Sequence, residues 1–286
     1  MTTIGGLVFL LACVFGGYVL AGGKFDIILH ALPHEMLTIG GAAIGAFVMA
    51  NSIGDIKHVA GGFGKIMKGA RYKKADYIEM LSLLYFFVRL AQTKGAMALE
   101  PHIEKPEESS AFGKFPKIQQ DHHGVALICD YLRMVGMNAD DPHQIEDVMA
   151  RELKKILVEE LHPSHALLSV ADALPALGIV AAVLGVIKTM ASIDQPPAIL
   201  GGMIGSALVG TFLGILLAYG VVEPLGGLLE QKVDESSKEL QCIKTTLLAS
   251  MQGYAPQVAV EFGRKVLYSG DRPTFAELEG HVKGKK

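Results

Sequence analysis

Four stretches of this chain are apolar enough and long enough to cross a lipid bilayer, and nothing else in it constrains the fold as strongly. A crossing takes about 20 apolar residues in a helix. In lipid, only segments that satisfy their own backbone hydrogen bonds are stable. The stretches are residues 4–21, 36–53, 167–191 and 199–222. Half of the 286 residues are hydrophobic and 19 % are charged, too apolar for a wholly water-soluble fold and too charged to lie entirely in lipid. The expected fold is an all-α membrane protein with four transmembrane helices, a large, mostly helical polar segment and a helical C-terminal tail. Its boundaries are 1–56 for the first two spans, 57–166 for the polar segment, 167–223 for the last two spans and 224–286 for the tail. The first stretch has no basic start, and Gly22-Gly23-Lys24 after it is a poor cleavage site. It reads as a retained helix, not a secretion signal.

Basic residues near span ends set the orientation. The connector 22–35 carries only Lys24, and 192–198 carries no Lys or Arg. Lys57, Lys65, Lys68, Arg71, Lys73 and Lys74 follow the second span, and Lys232, Lys238 and Lys244 follow the fourth. Both termini and the long middle segment are therefore expected in the cytoplasm. Gly41/Gly45, Gly201/Gly205 and Gly210/Gly214 are spaced as GxxxG, which lets helix backbones approach closely. Glycine is common in membrane helices, so one pair means little; three pairs in two spans argue for close helix assembly. Cys13, Cys129 and Cys242 form no CxxC or Cys/His ligand spacing and read as packing residues.

The middle segment reads as helices over 77–98, 124–135 and 144–161. A breaker cluster separates the first two (Pro101, Pro106, Ser109, Ser110, Gly113, Pro116), and Asp140-Asp141-Pro142 begins the third. The fourth span is expected to continue as helix to about Leu248.

No enzyme signature stands. Residues 61–65 loosely resemble a phosphate loop, but Ile66 follows the lysine where Ser or Thr is required. His34-Glu35 lacks the second histidine of a zinc helix, and His122-His123 and His162/His165 lack neighbouring ligands, so no metal or other cofactor is expected. A net charge of −3 implies no nucleic-acid partner. The spans as drawn hold no central Asp, Glu, Arg or His: Asp172 and Lys188 lie toward opposite ends of the third, and Glu223 at the end of the fourth. A mid-bilayer ionisable group usually marks an ion path, so any ion-carrying carboxylate is expected from a partner. This chain offers the hydroxyls of Ser206, Thr211 and Tyr219, and backbone carbonyls loosened by Pro175 and Pro224. Both prolines read equally well as helix boundaries.

Leu174-Pro175-Ala176-Leu177-Gly178-Ile179-Val180-Ala181-Ala182-Val183-Leu184-Gly185-Val186-Ile187 and Val209-Gly210-Thr211-Phe212-Leu213-Gly214-Ile215-Leu216-Leu217-Ala218-Tyr219-Gly220 resemble the third and fourth spans of the MotA family of flagellar stator proteins. The tail segments Gly253-Tyr254-Ala255-Pro256, Val260-Glu261-Phe262-Gly263-Arg264-Lys265 and Arg272-Pro273-Thr274-Phe275-Ala276-Glu277-Leu278-Glu279 resemble its long, proton-driven branch. Phe15-Gly16-Gly17-Tyr18 and Ala98-Leu99-Glu100 fit as well. The resemblance runs in order over nearly the whole chain. It implies a bacterial inner-membrane protein, a homo-oligomer of five subunits around a MotB-type partner. That partner has one span, supplies a proton-binding Asp and grips peptidoglycan. Proton flow would turn the ring and drive the rotor protein FliG. No catalysis or cofactor is implied beyond the transported ion, H+.

By the same resemblance, Pro175 and Pro224 couple ion movement to conformational change, and Thr211 and Tyr219 line the ring-to-core interface. The family's acidic rotor-facing residue matches Glu100. Its basic partner falls on Gln92, so Lys94, or Arg89 one turn away, is the expected substitute. Glu152 matches a second acidic position, and region 57–166 becomes the rotor-interacting region. The nearest rival is a TolQ or ExbB type subunit, which energises envelope processes and has three spans. A solute transporter would show an internal repeat and a polar midplane site, and the sequence shows neither.

Overall fold

The computed structural model describes residues 2–67, 72–137 and 141–284, and every regular element in them is helical. In chain order these are α1 (Thr2–Leu20), α2 (Phe25–Glu35), α3 (Gly41–Ala50), α4 (Ile53–Met67), α5 (Lys74–Lys94), α6 (Glu100–Ile103), α7 (Pro116–Gln119), α8 (His122–Gly136), α9 (Pro142–Met190), α10 (Pro197–Leu217), α11 (Glu223–Met251), α12 (Pro256–Lys265) and α13 (Phe275–Gly284). Two π-turns, Met36–Gly40 and Ala218–Val222, join α2 to α3 and α10 to α11 without ending the helix. Of the positions singled out above, Lys68, Arg71 and Asp140 lie outside the described residues.

Among the described residues four helices are long and apolar enough to span a membrane, and two of them correct the boundaries expected from hydropathy. The second runs over Phe25–Ala50, so the expected connector 22–35 is mostly helix. Asp26, His30, Pro33, His34 and Glu35 lower the local hydropathy and hide the helix from a window that counts apolar residues. The expected helix 144–161 is not separate from the third span: both belong to the 49 residues of α9. The expected helix 77–98 ends at Lys94, because Gly95 takes φ 80°, a conformation glycine adopts without a Cβ penalty.

The chain divides into two compact units, each assembled from separated segments. The first comprises Met1–Met67 and Leu161–Gln231. Its core brings Ile28, Ala31, Ile39 and Ala43 together with Leu174, Ala181, Val209 and Leu213. Phe15 meets Phe25 and Phe212 edge to face. Its outer surface stays apolar: Leu20 and Met49 are each 90 % exposed and Leu37 is 77 % exposed. A soluble protein rarely leaves so continuous an apolar surface open; lipid and neighbouring helices are its natural cover.

The second unit comprises Lys68–Glu160 and Lys232–Lys286, and it is built like a water-soluble protein. Leu81, Leu83, Leu84 and Phe87 of α5 are fully buried with Phe112, Ile128, Met149 and Ile243. Asp121 caps α8 by accepting from the Gly124 N–H at 3.4 Å, and it also accepts from the Tyr72 hydroxyl at 3.0 Å. The tail motif closes this unit. Arg264, only 7 % exposed, donates to both oxygens of Glu261 and to the Pro273 carbonyl at 2.8 Å. Thr274 and Glu277 cap α13 reciprocally, and Lys74 of α5 pairs with Glu277 at 2.8 Å.

Candidate functional site

In the first unit α9 and α10 meet backbone to backbone. A Cβ on Gly214 would come within 2.7 Å of the Leu174 carbonyl and 2.9 Å of the Gly178 Cα; one on Gly178 would come within 2.8 Å of the Gly210 carbonyl. Gly185 lies in the same way on Ala207, two turns along. Of the six glycines paired by spacing, Gly210 and Gly214 thus lie in a tight seam. Gly205 has only ordinary contact, with Ile27 at 3.6 Å, and Gly41, Gly45 and Gly201 have no atom within 4 Å of an added Cβ. Pairing glycines within one helix misses Gly178 and Gly185. Their spacing of seven, which returns a residue to the same helix face, was the signal for them.

Pro175 and Pro224 both lie within continuous helix, which removes the boundary reading left open by the sequence. Pro175 is half-buried beside Leu174, a residue of the seam, and has no N–H to offer the Ala171 carbonyl. Pro224 follows the π-turn Ala218–Val222 and likewise has no N–H for Gly220. Interruptions of this kind are the recognised places where helices bend. Thr211 is half-buried on the seam, and Tyr219, in the π-turn, is 57 % exposed.

The structure also contradicts the expected lack of a central ionisable residue. Glu35 lies on the second spanning helix, and an added Cβ on Gly210 would come within 2.6 Å of its Oε2. Gly210 is about 20 Å along its helix from Pro197 and about 18 Å from Val222 at 1.5 Å per residue, close to the middle of that span. A cavity of about 270 Å³ opens beside this carboxylate, with His30, His34, Thr38, Lys188 and Ser206 in its walls. The helix boundary placed at Met36 hid Glu35 from sequence reasoning by a single residue.

In the second unit Arg89, Lys94 and Glu100 are all exposed, and among the described residues none of their side chains is held in an ion pair or hydrogen bond. Gln92 is engaged differently: its amide donates to the Tyr254 carbonyl at 2.9 Å, tying α5 to the turn at Gly253. Glu152 accepts from the Tyr131 hydroxyl at 2.6 Å, which binds α9 to α8. Two residues beyond Glu100, His102 sits edge-on to Phe86 and within hydrogen-bond distance of Ser109, 2.8 Å. Burial holds its imidazole below the usual value of 6.5. No group of three or more His, Cys, Asp or Glu side chains among the described residues could hold a metal ion.

Residues 4–95 match the family model described as motility protein A N-terminal, and residues 120–242 match that of the MotA/TolQ/ExbB proton channel family. Motility protein A of Salmonella typhimurium is 44 % identical over 278 residues, covering 97 % of this chain and 94 % of that protein. Motility protein A of Escherichia coli is 43 % identical, covering 98 % and 95 %. Chemotaxis protein LafT of Vibrio parahaemolyticus is 36 % identical, covering 96 % and 95 %. A solved structure of C. jejuni MotAB superposes with a TM-score of 0.75 at 20 % identity, over 96 % of this chain and 98 % of that one. The flagellar MotAB stator complex of Bacillus subtilis gives 0.70 at 25 % identity, over 91 % and 93 %.

Proposed function

Because the chain belongs to the motility protein A family, we propose that it is the ring-forming subunit of a flagellar stator, converting ion flow across the inner membrane into torque. One observation carries this reading: identity of 43–44 % with two proteins named motility protein A, end to end, at 94–95 % of their own length. The match of residues 4–95 to the motility-specific N-terminal model favours it over a TolQ or ExbB type energiser, since the channel model over residues 120–242 is common to all three.

In this reading the chain assembles as a pentamer around a MotB-type helix, with both termini in the cytoplasm. The partner's Asp carries protons, and each charge crossing supplies about 2.3 kcal/mol per 100 mV. Protonation biases the helix segment around Pro175 and the π-turn before Pro224, where missing N–H donors let the backbone reorganise at little cost. Thr211 and the exposed Tyr219 face the central partner. In the second unit Glu100, at the start of α6, and Lys94 and Arg89, toward the end of α5, present a mixed-charge surface to FliG. Gln92 and Glu152 support that surface through their hydrogen bonds to the Tyr254 carbonyl and the Tyr131 hydroxyl.

The test is to delete the gene and score filaments and swimming separately, with restoration from a plasmid. Paralysed cells with normal filaments, rescued by the plasmid, are expected. Full swimming together with detergent sensitivity of the envelope would turn the reading toward the TolQ-like role.

A further inference from the structure

The first unit contains an ionisable group that the torque mechanism above does not use. Glu35 closes α2 just before the π-turn Met36–Gly40, with Pro33 two residues earlier. Its Oε2 is wholly enclosed and has no hydrogen-bond partner. The enclosure has a specific origin, because the carboxylate rests against the bare backbone of Gly210, with the Ala181 side chain beside it. Three helices thus converge on one oxygen at mid-span depth.

An ionised carboxylate oxygen shut away without a donor is costly, and within a membrane such groups mark ion paths or proton relays. The other side of the group is wet in character. The adjoining cavity of about 270 Å³ has room for several waters at about 30 Å³ each, and polar walls to hold them. The titratable groups facing it are His30 and His34 on α2 and Lys188 on α9; α10 contributes only the hydroxyl of Ser206. A sodium ion would need several oxygen ligands and would sit opposite the Lys188 ammonium. Thr38 and Thr189 already donate their hydroxyls to the carbonyls of His34 and Gly185. A proton needs only the carboxylate. Hydronium arriving in the cavity would leave its proton on Glu35 and depart as water, with no change in atoms or electrons elsewhere.

We propose that Glu35 and its cavity form a second proton-binding station, carried by the ring subunit itself at mid-span depth, beside the seam formed by α9 and α10. The proposal rests on the stator reading for its purpose but not for its chemistry, so the two can be tested apart. The complex of the full chain with its partner would be reconstituted in phosphatidylglycerol/phosphatidylethanolamine vesicles, and the carboxyl stretch followed by infrared spectroscopy as pH is varied. A protonated-carboxyl band that appears on acidification and is lost in Glu35→Gln is the expected result. In Glu35→Asp the band returns, shifted in frequency. A Glu35-dependent band that does not change with pH, or no band attributable to Glu35 at any pH, would overturn the station.

The second measurement is motor speed at low load against external pH, with sodium fixed. Glu35→Gln is expected to lose the pH dependence of speed while keeping its stall torque. Equal losses of speed and torque at every pH would reduce Glu35 to a packing residue, and a profile superimposing on the wild type would remove it from the ion path. A titrating band in a complex that turns no motor would sink the stator reading and leave the station standing.

Discussion

Replacing Gly214 with alanine adds one methyl group where the α9–α10 seam is backbone against backbone. The new Cβ would lie 2.7 Å from the Leu174 carbonyl oxygen and 2.9 Å from the Gly178 Cα, where ordinary contact begins at 3.4 Å. Both neighbours are backbone, so no side chain can rotate away, and the helices must part by about 0.7 Å locally. A gap of that size forfeits about a quarter to a half of the dispersion energy along the contact. Overpacking of this kind costs about 1–3 kcal/mol, a factor of about 5 to 150 in the folding equilibrium. Gly41→Ala is the control, since an added Cβ there meets nothing within 4 Å. Resistance of the purified protein to SDS-induced unfolding should therefore fall in Gly214→Ala and Gly178→Ala and hold in Gly41→Ala. The double variant should cost less than the two single costs added, because one parting of the helices relieves both clashes. Equal stability of Gly214→Ala and Gly41→Ala would refute the seam.

Pro175→Ala should restore an N–H within α9 and favour the helix by up to about 3 kcal/mol while abolishing torque; normal torque in a bead assay would refute the coupling role of that proline. Glu100→Lys should reduce swimming and recover partly with a compensating charge change in the rotor, whereas wild-type swimming of the single variant would remove Glu100 from the contact. His102 is held in its neutral form, with its folded value below 6.5, so the stability it gives is present above pH 6.5 and is lost as pH falls below that value. Amide exchange over residues 100–119 should accelerate on acidification through that window, and His102→Gln should remove the pH dependence.

The parts of this fold legible in the sequence are those set by one-dimensional patterns. Hydropathy finds α1 and the last two spans because their apolar runs are unbroken, and the helix expected to continue from the fourth span to about Leu248 is α11, which ends at Met251. The parts that were not legible depend on what another helix places opposite. Gly41/Gly45 and Gly210/Gly214 have the same spacing, yet only the second pair has atoms of another helix packed against it, and spacing along one helix cannot distinguish them. Gln92 looked like the defect in a charge pair because its acceptor, the Tyr254 carbonyl, is 162 residues away. Glu35 is the sharpest case. Polar residues in its helix lowered the hydropathy and moved the predicted span start to Met36, and that same polarity lines the cavity now seen beside the carboxylate. A polar interruption at the edge of an apolar run is therefore ambiguous in sequence: it ends the helix when water covers it, and continues the helix when neighbouring helices do. Here Gly210 and Ala181 supply the cover, which is why an ionisable group lies at mid-span depth in a chain whose hydropathy shows none.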